Sequence, residues 1–166
     1  MSDATARLAL PFIAPGQAQK ELFHNEALTR IDALLSGAVE GVAVNGPPSA
    51  PAPGQCWIVG AMPTGAWAGQ PNVVAAWTDG GWRFIAPQAG IVLWSNADKV
   101  FVWFDGAVWR TGDVVAQRVV VGGRQVVSVQ QSAIADPTGG AVTDAQARAA
   151  ISAILSALRN HGLLAD

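Results

Sequence analysis

The side chains that could do chemistry in this chain are few and scattered. Its two histidines, His24 and His161, and its one cysteine, Cys56, lie far apart and in no motif. Nucleophilic or acid–base catalysis needs such groups within hydrogen-bond reach of one another. His24 falls on the apolar side of a helical pattern, which predicts a half-buried, hydrogen-bonded imidazole. His161 stands at the end of a second helical pattern, where the helix dipole favours an imidazolium. No grouping of His, Cys, Asp or Glu has zinc or calcium spacing, and no glycine loop has the form of a phosphate cradle, so neither metal nor cofactor is expected. A carboxylate pair, Asp79 with Asp105, is the remaining route to hydrolysis. Asp-Gly turn chemistry explains both residues without a reaction, and the expectation is a protein that is not an enzyme.

Tryptophan is the unusual side chain, with seven Trp against five Phe and no Tyr. An indole is a flat apolar platform with one N–H donor, suited to stacking on the C–H face of a sugar and equally to filling a small β core. Trp57, Trp77, Trp82, Trp94, Trp103 and Trp109 sit in strand-like runs and read as inward-facing members of cross-strand pairs, with stacking on sugar as the alternative. Trp67 lies among small residues, Thr64-Gly65-Ala66-Trp67-Ala68-Gly69, with no strand period. It is either a plug closing the β domain or an exposed platform. Trp67, Trp94 and Trp103 are the candidate glycan-binding residues.

These residues are placed by a readable order of elements. Residues 1–16, with Pro11, Pro15 and Gly16, predict an extended arm. Residues 17–36 predict an amphipathic helix whose stripe of Phe23, Ala27, Leu28, Ile31, Leu34 and Leu35 must lie on a sheet or a partner subunit, with Gly37 as the stop. Residues 45–54 form a Pro-rich connector. Over residues 55–112 short apolar runs alternate with Gly, Pro, Asn and Asp, the pattern of a Trp-rich antiparallel meander or small barrel. Within it Trp77-Thr78-Asp79-Gly80-Gly81-Trp82-Arg83 recurs, with one residue inserted, as Trp103-Phe104-Asp105-Gly106-Ala107-Val108-Trp109-Arg110. Two similar hairpins lying side by side are expected, each turning at Asp-Gly.

Residues 114–135 predict a further β-hairpin turning at Gly122-Gly123, and residues 136–142 a linker. Residues 143–162 predict a C-terminal helix, with Thr143 and Gln146 at capping-box spacing, Asp144 complementing the dipole and Gly162 as the C′ glycine. Along it Ala147, Ile151, Ile154 and Leu158 recur at four-three-four spacing with Leu155 beside them. This is a candidate oligomerisation seam, and Ile at both seam positions favours three or four strands over two. Packing on the same subunit is the alternative. The fold class expected is mainly β with flanking α-helices.

Charged residues make up only 13% of the chain, hydrophobic residues 51%, and the formal charge is −2. Such a surface has no basic patch to attract phosphate, so nucleic acid is not an expected partner. So little charge on so apolar a chain points to an assembled subunit. No apolar run approaches a membrane span, and the first residues lack the form of a signal peptide, so no membrane insertion is expected. A lone cysteine makes no internal disulfide and leaves the compartment open.

The opening Leu8-Ala9-Leu10-Pro11-Phe12-Ile13-Ala14-Pro15-Gly16-Gln17-Ala18-Gln19-Lys20-Glu21, then His24-Asn25-Glu26-Ala27-Leu28, resembles the start of a bacterial domain family of unknown function, family number 2793, carried in prophage and gene-transfer-agent clusters. The resemblance continues through Pro53-Gly54-Gln55-Cys56-Trp57-Ile58-Val59-Gly60, Gly65-Ala66-Trp67-Ala68-Gly69, Gly81-Trp82-Arg83-Phe84 and Pro87-Gln88-Ala89-Gly90. The tail from Ala133 to Leu163 looks like an ending attached to several phage-derived structural proteins. The resemblance implies a virion component, a spike or tail-fibre subunit of a phage or gene-transfer-agent particle, made in the bacterial cytoplasm. Its implied partners are its own copies, with a homotrimer favoured, other virion proteins and cell-surface polysaccharide. The alternative is a purely structural assembly adaptor without glycan binding. The family brings no established catalytic residues.

Overall fold

The computed structural model describes residues 3–13, 20–35, 37–127, 129–139, 144–160 and 163–165. The chain divides into two compact units, Met1–Asp113 and Val114–Asp166.

The first unit is built on two sheets. A four-stranded sheet has the order β1 (Ala38–Val39), β5 (Val92–Ser95), β6 (Val100–Phe104), β7 (Trp109–Thr111), in which β1 runs parallel to β5 and the other pairs are antiparallel. A three-stranded antiparallel sheet joins β2 (Cys56–Ile58), β3 (Val74–Thr78) and β4 (Gly81–Ile85). The antiparallel pattern therefore resolves into two short meanders, and among the described strands they do not close into a barrel. Residues 40–44 bridge them: after β1 pairs with β5, Glu40 N–H donates to Cys56 O and Ile58 N–H to Gly41 O. Alternate residues of both sheets, among them Val39, Cys56, Ile58, Val74, Ala76, Ile85, Leu93 and Val102, form one core with Ala33. In β5 and β6 the buried side chains fall at every second position and cover one face, whereas β2 and the start of β3 are buried on both faces. Gly37 is needed for a reason other than helix termination: it is buried, and a Cβ there would collide with Leu93 of β5.

The N-terminal elements depart from the sequence reading. Residues 3–12 are not an extended arm but a closed loop, with an Ala4–Pro11 antiparallel bridge and a bond from Phe12 N–H to Asp3 O. What closes it is Asp32 of α1 (Lys20–Leu34), a buried carboxylate that accepts from Thr5 Oγ1 (2.7 Å), Arg7 N (3.0 Å) and Leu8 N (2.6 Å). Asn25 clamps the same segment by exchanging two bonds with the backbone of Ile13. The helix is thus docked by Asp32 and Asn25 together with Ala33 and half-buried Leu34 on the core, while Phe23 is 81% exposed and Ile31 and Leu35 are also exposed. His24 is exposed with them, not half-buried as its position on the apolar side suggested. The expected helical residues 17–19 and 36 lie outside the described residues.

The second unit holds the hairpin of β8 (Val119–Val121) and β9 (Arg124–Val127), turned at Gly122 and Gly123 with φ of 56° and 77°, and the helix α2 (Ala145–Asn160). Positive φ at both central positions matches the twist of a tight hairpin and is open to glycine. Every described residue of β8 and β9 is exposed. At the helix start Asp144 Oδ1 accepts the Ala147 N–H at 2.9 Å, so the side-chain cap comes from Asp144. Thr143 and Gly162 lie outside the described residues. Residues 136–139, the described part of the expected linker, are tied to the helix, because Arg148 donates to Pro137 O and Gly139 O and Arg159 pairs with Asp136 at 3.4 Å. Leu155 and Leu164 are buried in this unit.

Candidate functional site

The seven indoles fall into two populations. On the outer side of the β2–β3–β4 sheet, Trp57, Trp77 and Trp82 gather around Trp67, which the 3₁₀ turn Gly65–Trp67 delivers. Ring centroids lie 6.2 Å apart for Trp57–Trp67, 5.1 Å for Trp67–Trp82 and 4.9 Å for Trp77–Trp82, mostly at steep interplanar angles. Edge-to-face packing at these separations places the positive ring edge on a negative ring face. Trp67 is 0% exposed. It is therefore the plug of the β domain and not a glycan platform: the small residues around it let a short turn drive the indole into the gap over Trp57 and Trp82. Its Nε1–H is buried with no acceptor among the described residues, as is that of Trp103.

The second population lies on the other sheet. In β5, Leu93 and Ser95 are buried while Val92 is exposed and Trp94 half-buried; in β6, Val102 and Phe104 are buried while Phe101 is exposed and Trp103 half-buried. The register pairs Val92 with Trp103 and Trp94 with Phe101. Directly opposed residues of an antiparallel pair share a face, so the four form one outward apolar strip. Trp94 and Phe101 meet edge-on with centroids 5.1 Å apart, and Val92 and Phe101 are 53% and 59% exposed. Trp94 and Trp103, two of the three candidates, are thus brought onto one surface, and the third is removed from it. Val92 and Phe101 went unrecognised in the sequence. The alternation against buried Leu93 and Val102 is the signal that finds them.

The strip ends in an ion pair. Trp103 is opposite Arg110 of β7, whose Nε lies 2.8 Å from Asp105 Oδ2. Asp105 also accepts the N–H groups of Ala107 and Val108, each at 2.8 Å. These two backbone bonds, and then the Arg110 guanidinium, hold its carboxyl at about 2, below the ordinary 3.8. A carboxyl so held is ionised at neutral pH and cannot act as a general acid there. Asp79 belongs to the other sheet's turn, between β3 and β4.

A cleft of about 990 Å³ lies between the N-terminal loop, α1 and the β3–β4 hairpin, walled by Asn25, Glu26, Asp32, Trp77 and Arg83. Of the carboxylates that line it, Asp32 holds the three donors described above and Glu26 pairs with Arg83 at 2.9 Å and Arg30 at 3.3 Å, while Glu21 Oε2 is buried with no partner among the described residues. Cys56 borders the same cleft with its Sγ 3.7 Å from Arg7 Nη1. Burial pushes the Cys56 thiol up, against the opposing pull of Arg7, so it is a protonated small hydrophobe and a poor nucleophile. Among the described residues, no group of three or more His, Cys, Asp or Glu could hold a metal ion, and no helix is long and apolar enough to cross a membrane.

The seam residues of α2 separate. Leu155 is buried within its own unit, so it serves intrachain packing and is not available to a neighbouring helix. Leu158 is half-buried, while Ala147, Ile151 and Ile154 are exposed, Ile154 at 59%.

A small two-sheet β domain with an indole cluster on one sheet and an outward aromatic strip on the other defines the class of this protein. The chain belongs to the family described as "Protein of unknown function (DUF2793)", which matches residues 24–110, from within α1 to Arg110. No curated protein matches the chain.

Proposed function

We propose that the chain is a non-catalytic structural subunit of a phage or gene-transfer-agent particle, part of a spike or fibre, that engages cell-surface polysaccharide through the outer face of β5 and β6. The observation that carries this reading is the strip of Val92, Trp94, Phe101 and Trp103, an apolar surface held rigid by strands. Sugar rings stack on such indoles through their C–H faces, and a platform on strands is better fixed than one on loops. The commitment of Asp105 to its own turn and to Arg110 supports binding without hydrolysis. Surface plasmon resonance on immobilised host capsule tests it. Wild type is expected to bind and the Trp94→Ala/Trp103→Ala double variant to lose binding about tenfold, since aromatic contacts contribute on the order of 1 kcal/mol each. Equal binding by the two proteins overturns the reading.

A second reading, an assembly adaptor without glycan binding, is favoured by the other unit. The valines of β8 and β9 are exposed together with Ile151 and Ile154 of α2, and a lone two-stranded hairpin is marginal in water. In both readings the particle form is a homo-oligomer, a trimer by preference. Sedimentation showing a monomer at micromolar concentration removes that part of the proposal.

A further inference from the structure

The aromatic strip says that a sugar could stack; the residue at its end says which kind of sugar. Arg110 stands directly across from Trp103, so the guanidinium and the indole rise from the same face of the sheet. Of its five N–H donors, Nε is taken by Asp105 at 2.8 Å, and the two terminal nitrogens have no partner among the described residues. The side chain is half-exposed at this site. Asp105 is itself held by the Ala107 and Val108 amides, so the fork is aimed by a carboxylate tied into its own turn, and less side-chain freedom is lost when a ligand is gripped.

The corresponding arginine of the first hairpin shows what a purely structural use looks like. Arg83 gives Nε to Glu26 of α1 and Nη1 to the carbonyl oxygens of Gly80 and Trp82, which ties the hairpin to the helix. Arg110 makes no such tie. Its open edge is the planar two-nitrogen fork that fits a carboxylate bidentately, beside an apolar strip whose other members, Val92, Trp94 and Phe101, carry no charge.

Resting on the glycan-binding reading above, we propose that the outer face of β5, β6 and β7 is a site for an acidic polysaccharide, with a uronate ring against Trp103 and its carboxylate on the terminal nitrogens of Arg110. The paired Asp105 cancels the long-range field of Arg110, so recognition depends on the short-range fork and not on bulk attraction to any polyanion.

Binding of the whole chain to polygalacturonate, to the same polymer with its carboxyls methyl-esterified, to dextran and to dextran sulfate tests this. Polygalacturonate is expected to bind about tenfold or more above the esterified polymer and dextran, the range of one charge-assisted bidentate contact. Arg110→Gln should bring polygalacturonate down to the esterified level, and Arg110→Lys should recover only part of the difference, because an ammonium lacks the fork. Trp103→Ala should weaken all arms together. Thermal melts of each variant confirm that the fold is retained, as expected for an exposed ion pair. Equal binding of free and esterified polymer, no effect of Arg110→Gln, or dextran sulfate binding as tightly as polygalacturonate overturns the uronate assignment while leaving the glycan reading standing. Absence of binding to all four polymers and to host capsule overturns both.

Discussion

The two copies of the Trp-Asp-Gly-Trp hairpin differ by one inserted residue and sit in opposite surroundings. In the first, β3 and β4 pair Trp77 with Trp82, and both indoles join the cluster around Trp67. In the second, the extra residue shifts the partnership: Trp103 meets Arg110, and Phe104 meets Trp109. Trp103 therefore points outward, while Trp109 turns inward to pack on the main core and donates its Nε1–H to Asn72 O at 2.9 Å. A strand has a side-chain period of two, so one residue in the turn sends each later side chain to the other face. The same short motif can thus build a core at one site and a surface at another, and the turn decides which.

Three perturbations test this contrast. The largest effect is expected from Trp67→Ala, which empties the centre of the indole cluster and should cost about 3–5 kcal/mol by chemical denaturation. Trp103→Ala in the second hairpin should cost under about 1 kcal/mol; similar losses for the two would mean that the hairpins are not differently used. Deletion of Ala107 comes next. It restores the spacing of the first copy, which would set Trp103 against Trp109 on the outer face and turn Arg110 inward. A loss of about 2–3 kcal/mol is expected, with a red shift of Trp emission as Trp109 becomes wet. An unchanged spectrum and stability would sink the register argument.

The smallest effect is electrostatic. Asp105 is held at about 2 against an ordinary 3.8, so its folded form binds the proton more weakly than its unfolded form. Its contribution is then fully present above the unfolded value and is lost as pH falls through about 2. Between pH 4 and pH 2 wild type should lose stability that Asp105→Asn never had, and the melting curves of the two should converge as the pH is lowered. Parallel curves would show that the turn bonds do not matter to the fold.

Where the signal is local, the sequence carries it. The Asp-Gly turns, the Gly122-Gly123 hairpin and the tail helix depend on turn and helix residues whose neighbours are a few positions away. Trp94 and Trp103 are also recognisable as surface candidates, although only the register shows that they share a face with Phe101. The N-terminal helix is misread because much of what docks it lies outside its own pattern: Asp32 and Asn25 bind a loop made of residues much earlier in the chain, which no window on the helix contains. Trp67 is ambiguous for a related reason, since its burial depends on Trp57 and Trp82, brought to it from strands on either side. The division of the two similar hairpins between separate sheets is likewise a property of long-range pairing. β1, two residues long, carries no periodicity at all.

That short strand has a consequence for how the protein is made. Val39 finds its parallel partner at Ser95, and Ala33 enters a core completed by Leu93 and Val102. Loop closure over such a span costs chain entropy before any contact rewards it. As the chain leaves the ribosome, α1 has the N-terminal loop to close upon, yet β1 has no strand partner until β5 follows. The β2–β3–β4 meander can pair as it emerges, but the main core of the first unit is complete only once β5 and β6 have followed.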